Sequence, residues 1–125
     1  MTATRLKLGR RAEDIVARWL SEKGWRILAR NARTRFGELD IVALEGRTLV
    51  FLEVKAGRAG AAAGPERPVL SVGFRKQQRI RRLATAWMAE CRNGPRYAEI
   101  RFDVAGVSFD RDGCLTEVEH IPNAF

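Results

Sequence analysis

Cysteine, histidine and long apolar runs are scarce in this chain, and each scarcity argues something away. Two cysteines among 125 residues, Cys91 and Cys114, stand far apart and outside any metal-ligand spacing. That pattern speaks against a disulfide framework and a zinc site, and buried, reduced thiols are expected instead. The one histidine, His120, has no metal-type partner near it in sequence, which favours a structural role over a general-base one. No run approaches the roughly eighteen apolar residues of a membrane span. The opening MTATRLKLGRR also lacks an apolar signal segment, so a cytoplasmic protein without a membrane partner is expected. Acidic charge is in short supply as well: 15 Asp and Glu face 23 Lys and Arg, a net charge of +8. Such an excess favours a polyanionic partner, because clustered cations gain affinity by releasing counterions condensed on nucleic acid.

What is present is enough for one core. The chain is 46% hydrophobic, and its length suits a single domain spanning residues 1–125. The charges are unevenly spread. Residues 1–35 carry ten basic and three acidic side chains and residues 58–96 nine and two, whereas 36–57 carry two and four. A locally acidic stretch is thus framed by cationic ones, as suits a cation site surrounded by phosphate contacts; ordinary solvated helix faces give the same distribution.

Apolar residues at Leu8, Ala12, Ile15, Val16, Trp19 and Leu20 follow helical spacing and predict a helix from about Thr4 to Lys23, stopped by Gly24. Trp25 to Arg33 reads as an edge strand. GELDIVALEGRTLVFLEVKAG, residues 37–57, then supplies two strands joined around Glu45-Gly46-Arg47-Thr48. Residues 57–70 combine Gly, Ala and two prolines without periodicity, the mark of a flexible loop. A second helix is predicted from about Ser71 to Cys91, burying Ile80, Leu83, Ala84, Trp87, Met88 and Cys91, and two further strands follow from Tyr97 to Phe109 and Cys114 to Ile121. The helical crossover between the third and fourth strands suits a parallel pair. The expected fold class is therefore α/β, a central mixed sheet flanked by helices.

The charges inside residues 37–57 carry the chemistry. With Gly46 and Arg47 as a two-residue type II′ turn, Asp40 falls opposite Glu53 and Glu38 opposite Lys55, on one face. A three-residue loop would instead put the two sets on opposite faces. Two carboxylates that close repel one another unless a cation offsets them. A hard divalent ion, Mg²⁺ or Mn²⁺, meets that need with Asp40, Glu53 and the backbone carbonyl of Val54 as oxygen ligands. Lys55 could then orient a water or stabilise charge developing on a phosphate. Cross-strand salt bridges, with Lys55 neutralising Glu38 or Glu53, satisfy the same residues without a metal. The apolar run LVFLEV ahead of the charges favours a functional reason for burying them.

Asp40 with Glu53-Val54-Lys55 resembles the PD-(D/E)XK signature of the restriction-endonuclease-like superfamily. The wider text, GRRAEDIVARWL, GELDIVALEGRTLVFLEVK, RKQQRIRRLATAWM, IRFDVAGV and HIPNAF, resembles the YraN family of small bacterial proteins within it, over nearly the whole chain. The resemblance implies an α-β-β-β-α-β core similar to that of archaeal Holliday-junction resolvases and a nuclease role. It also implies Asp40 and Glu53 as metal-binding acids, Lys55 as the catalytic lysine, and Glu13 as a further acid on the first helix, acting on the metal directly or through water. Independently, Glu13 borders the apolar stripe, three and seven residues before Val16 and Leu20; pairing with Arg10 or Arg18 is the other reading. Where the family usually continues with basic residues after the lysine, this chain has Ala56-Gly57-Arg58.

The second helix carries RKQQRIRR, with Arg75, Lys76, Arg79 and Arg82 as candidate nucleic-acid contacts. Lys76, Arg79 and Arg82 form a ridge suited to a phosphate backbone, and Lys76, four residues before Ile80, can reach the carboxylates; a solvated basic face is the alternative. Trp19, Trp25 and Trp87 are expected as packing residues, and Asp103 as a partner of Arg101 or of backbone. Together these features predict a metal-dependent nuclease acting on DNA, branched or single-stranded, with a homodimer implied if both strands of a junction are cut. The rival is a catalytically silent nucleic-acid-binding or protein-docking module of the same fold.

Overall fold

The computed structural model describes residues 3–58 and 72–125, with side chains over 7–57 and 72–125. Helix α1 (Ala3–Glu22) is followed by strands β1 (Arg26–Thr34), β2 (Gly37–Glu45) and β3 (Thr48–Arg58), helix α2 (Phe74–Glu90), and strands β4 (Glu99–Phe109) and β5 (Leu115–Ile121). The five strands form one sheet in the order β1-β2-β3-β4-β5. β3 and β4 pair in parallel and the other neighbours antiparallel, as predicted. The arrangement is a mixed α/β fold consistent with a restriction-endonuclease-like core, extended by the edge strand β5.

Strand alternation divides the apolar residues between two layers. Ala12, Val16 and Leu20 of α1 pack with Ile41, Ala43, Val50 and Leu52 on one face. Ile80, Leu83 and Ala84 of α2 pack with Val42, Leu44, Leu49 and Phe51 on the other. The helices therefore cover opposite faces. Helix α1 stops where expected: Gly24 takes a φ of 91°, and the Trp25 amide bonds back to the Leu20 carbonyl at 3.0 Å, a glycine-dependent closure.

Three expectations need correcting. Helix α2 ends at Glu90, leaving Cys91 as its exposed C-cap, and Cys114 is exposed as well. Both thiols are free but neither is buried, because Cys91 lies past the last packed turn and Cys114 lies in the tight turn before the edge strand. β3 runs on through Gly57 and Arg58, which pair with Ser108 and Phe109, so these two residues are strand and not loop. The remainder of the loop expected at 57–70, with Ser71, lies outside the described residues. No helix among the described residues is long and apolar enough to cross a membrane.

Candidate active site

The β2–β3 turn sets the site. Gly46 has a φ of 58°, and Glu45 pairs with Thr48 and Ile41 with Leu52, the register of a two-residue type II′ connection. The paired ladder ends at Ile41 and Leu52, and Asp40 begins the departure. Its Oδ2 accepts a hydrogen bond from the Val54 amide at 2.9 Å, so a carboxylate takes the place of a strand carbonyl. On the other side of Asp40 the alternation slips: Ile41 joins the α1 layer while Leu39 joins the α2 layer. The end of the ladder at this point is approached from both helices, by Glu13 of α1 and Lys76 of α2.

Asp40 and Glu53 meet there as predicted. The Asp40 carboxyl is pushed up to about 8, chiefly by burial and then by the negative charge of Glu53. Glu38 does not join them. Beyond Asp40 the strand follows β1, where Glu38 pairs with Arg33 at 3.4 Å on the exposed surface. The fourth charge is supplied instead by Lys76 of α2, whose Nζ lies 2.8 Å from Glu53 Oε1, with Lys55 Nζ at 3.4 Å from the same oxygen. Burial, and then the neighbouring Lys76, lower the pKa of Lys55; that of Lys76 is raised, its contacts with Glu53 and Lys55 outweighing burial. Lys76 is thus the counter-ion of Glu53, which leaves Lys55 the more readily deprotonated amine.

Glu13 approaches from α1, and burial raises its carboxyl above the ordinary range. It pairs with neither Arg10 nor Arg18; the Asn31 side chain hydrogen-bonds it and Arg30 lies near. Its Oε2 is buried with no hydrogen-bond partner, although buried polar atoms are nearly always satisfied. Asn31 was missed in the sequence. Its signal was an asparagine in mid-strand, where its φ of 49° is a conformation that Asn tolerates better than most residues. Among the described residues no group of three or more His, Cys, Asp or Glu is placed to hold a metal ion. The site offers a carboxylate pair, Asp40 and Glu53, with Glu13 beside it.

The basic residues of α2 divide in function. Arg75, Arg79 and Arg82 are exposed and Lys76 half-buried. The Arg79 guanidinium passes over Gly37, 2.9 Å from where a Cβ would stand. Arg81 lies over the Phe102 and Phe125 rings, with centroids at 4.7 and 5.5 Å, which makes it a packing residue.

Asp103 has a separate task. Fully buried, it accepts two hydrogen bonds from Arg101, at 2.8 and 2.9 Å, one from the Asn123 amide at 2.9 Å and one from His120 Nε2 at 2.8 Å. Burial alone would raise its pKa, but these donors together hold it below the ordinary value. The His120 ring stands edge-on to Trp19 and Trp25. Asp103 and His120 are structural, as expected, and pin the C-terminal segment to β4.

Relatives match this chain over almost their whole length. The chain is 54% identical over 121 residues to a UPF0102 protein of Parafrankia sp. strain EAN1pec, covering 95% of this chain and 96% of the relative. It is 44% identical over 125 residues to one from Pelotomaculum thermopropionicum, covering 100% of both. A third, from Rhodococcus jostii strain RHA1, is 42% identical over 123 residues, covering 98% of this chain and 99% of its own. The family described as "Uncharacterised protein family UPF0102" matches residues 12–107, a span from α1 into β4 that contains Glu13, Asp40, Glu53, Lys55 and Lys76. This chain belongs to the UPF0102 family.

Proposed function

We propose that this protein is a metal-dependent nuclease that hydrolyses DNA phosphodiesters, with Asp40, Glu53 and Lys55 as its centre. The observation that carries the reading is the pairing of two half-buried strand carboxylates, the Asp40 carboxyl pushed up to about 8 by burial and by Glu53, with Lys76 and Lys55 at 2.8 and 3.4 Å from Glu53. A divalent cation would favour the ionised form of both carboxylates. The donors fit Mg²⁺ or Mn²⁺: they are hard carboxylate oxygens, and Glu13 contributes a buried Oε2 without a partner. Asp40, Glu53 and the Val54 carbonyl would hold the ion, with Glu13 acting directly or through water. When bound, the ion supplies Lewis-acid polarisation of the phosphate.

The chain's own groups do the rest. Lys55, its ammonium destabilised by burial and by Lys76, is suited to exchanging a proton with an attacking water or to donating to the phosphate oxygens. Lys76, 2.8 Å from Glu53, would be released from that carboxylate if a cation offset it, and its ammonium would then be available to a substrate phosphate. Arg75, Arg79 and Arg82 extend this cationic ridge along the backbone, which positions substrate without reading sequence. Cleaving both strands of a branched substrate would require a two-fold dimer.

A second reading rests on the same ion pairs. Glu53 already paired with two lysines suits a silent binding module that keeps the fold. A cleavage assay separates the two. Wild type, Asp40→Ala and Lys55→Ala are compared on single-stranded, duplex and four-way-junction DNA with Mg²⁺ or Mn²⁺. Cleavage by the wild type alone is expected. Equal cleavage by all three would overturn the assignment of these residues, and salt-sensitive binding without cleavage would favour the module.

A further inference from the structure

The turn joining β1 to β2 presents an aromatic ring in an ordered setting. Phe36 is 49% exposed, yet the turn that carries it is tightly tied. The Thr34 hydroxyl, on a residue only 6% exposed, accepts from the Phe36 amide at 3.1 Å and donates to the Gly37 carbonyl at 2.9 Å. Little conformational freedom remains to be lost when the ring meets a ligand. The surroundings are cationic. The Arg35 guanidinium lies 4.8 Å from the Phe36 centroid, so one side of the ring faces a charge and the rest stays open. Gly37, next in the chain, takes a φ of 140° and admits the Arg79 guanidinium where any side chain would collide.

Arg79 links this turn to the carboxylates. It lies three residues beyond Lys76 on α2 and therefore on the same face, and Lys76 contacts Glu53. Along β2, Gly37 precedes Asp40 by three residues, roughly 10 Å of strand. One face of α2 thus sets Arg79 against Gly37, next to Phe36 in the chain, and Lys76 against Glu53.

We infer that Phe36, with Arg35 beside it and Arg79 behind Gly37, is a stacking platform for an unpaired nucleobase next to the Asp40–Glu53 pair. The substrate class is then nucleic acid with single-stranded bases at the site. Guanidinium groups hold the phosphates, and the ring takes a base without regard to its identity, since every base has a π-face. A paired and stacked base cannot present that face, so continuous duplex does not engage Phe36. The inference rests on the nucleic-acid half of the proposed function and not on cleavage.

Binding of the full chain is measured at low salt in EDTA, by anisotropy, to a labelled single strand, to an abasic backbone of the same length, and to duplex. Phe36→Ala is expected to weaken single-strand binding by about tenfold and to leave the abasic and duplex affinities unchanged. Phe36→Trp is expected to keep wild-type single-strand affinity, which separates loss of the aromatic face from disturbance of the turn. Equal single-strand affinity of Phe36→Ala and wild type overturns the inference. So does an equal loss on single strand and abasic backbone, or no wild-type binding to any of the three. Phe36-dependent binding together with no cleavage in Mn²⁺ supports the platform and overturns only the nuclease reading.

Discussion

Asp103 is a fully buried carboxylate and Asp40 a half-buried one, and their surroundings drive them in opposite directions. Asp103 is surrounded by donors, so its ionised form stabilises the fold. Asp103→Ala strands Arg101 without its main acceptor, and about 3 kcal/mol of stability should be lost in urea unfolding. Because the folded pKa lies below the ordinary 3.8, this contribution is present in full above that value and disappears as pH falls through the folded pKa. The gap between wild type and variant should therefore narrow below about pH 4. Asp40 lies beside Glu53 with the Val54 amide as its donor, and burial and Glu53 push its carboxyl up; under the proposed function a divalent cation offsets the pair. Mn²⁺ should raise the thermal midpoint of the wild type and leave that of Asp40→Ala unmoved, since only a folded-state ligand stabilises by mass action. Lys76→Met, which removes the competing ammonium from Glu53, should tighten Mn²⁺ binding severalfold in calorimetry. Weaker binding would mean that Lys76 organises the carboxylates instead of competing for them.

Among the elements, the β2–β3 hairpin was legible from its turn and only half legible from its charges. Gly46 dictates a two-residue connection, and the connection sets Ile41–Glu45 against Thr48–Leu52, which brings Asp40 and Glu53 to the end of the ladder. The same arithmetic placed Glu38 opposite Lys55, and that failed because a register persists only as long as the ladder. Asp40 ends the ladder by accepting from the Val54 amide, and Glu38 follows β1 to Arg33. Periodicity likewise carried α2 to Cys91, one residue beyond the helix, and buried a cysteine that the last turn leaves outside. The β1–β2 turn is the element most sensitive to a small change. Gly37→Ala must adopt a φ of 140° and displace the Arg79 guanidinium. A loss of about 1–3 kcal/mol in thermal or urea unfolding is expected. Arg82→Ala, at an exposed helical position, should leave stability within about 0.5 kcal/mol.

For the molecule as a whole, the net charge of +8 becomes specific only through where the sheet and α2 gather it. If the ridge holds phosphates, log K for a single strand falls linearly with log salt. Arg79→Ala should lower that slope by about 0.7, the value of one contact on single-stranded nucleic acid. An unchanged slope would remove Arg79 from the interface. The two helices cover opposite faces of the sheet and each sends one charged residue to the place where β2 and β3 part: Glu13 from α1 and Lys76 from α2. Neither the parting nor this approach from both sides follows from the spacing of any single segment.

The sequence by itself determined the order of elements, the parallel crossover and the hairpin register, and it brought out Asp40, Glu53 and Lys55 as candidates. All of these depend on local spacing or on a turn that one glycine specifies. Helical spacing allowed Lys76 and Glu13 to lean toward the carboxylates; tertiary structure decided that Lys76 sits on Glu53, that Glu13 keeps an oxygen without a partner among the described residues, near Asn31, and that His120 and the Asn123 amide close on Asp103. Those contacts join residues 17 to 23 positions apart in the chain. Only the packing of helices onto a twisted sheet sets such distances, because backbone geometry fixes the neighbours of a residue within a few positions and no further.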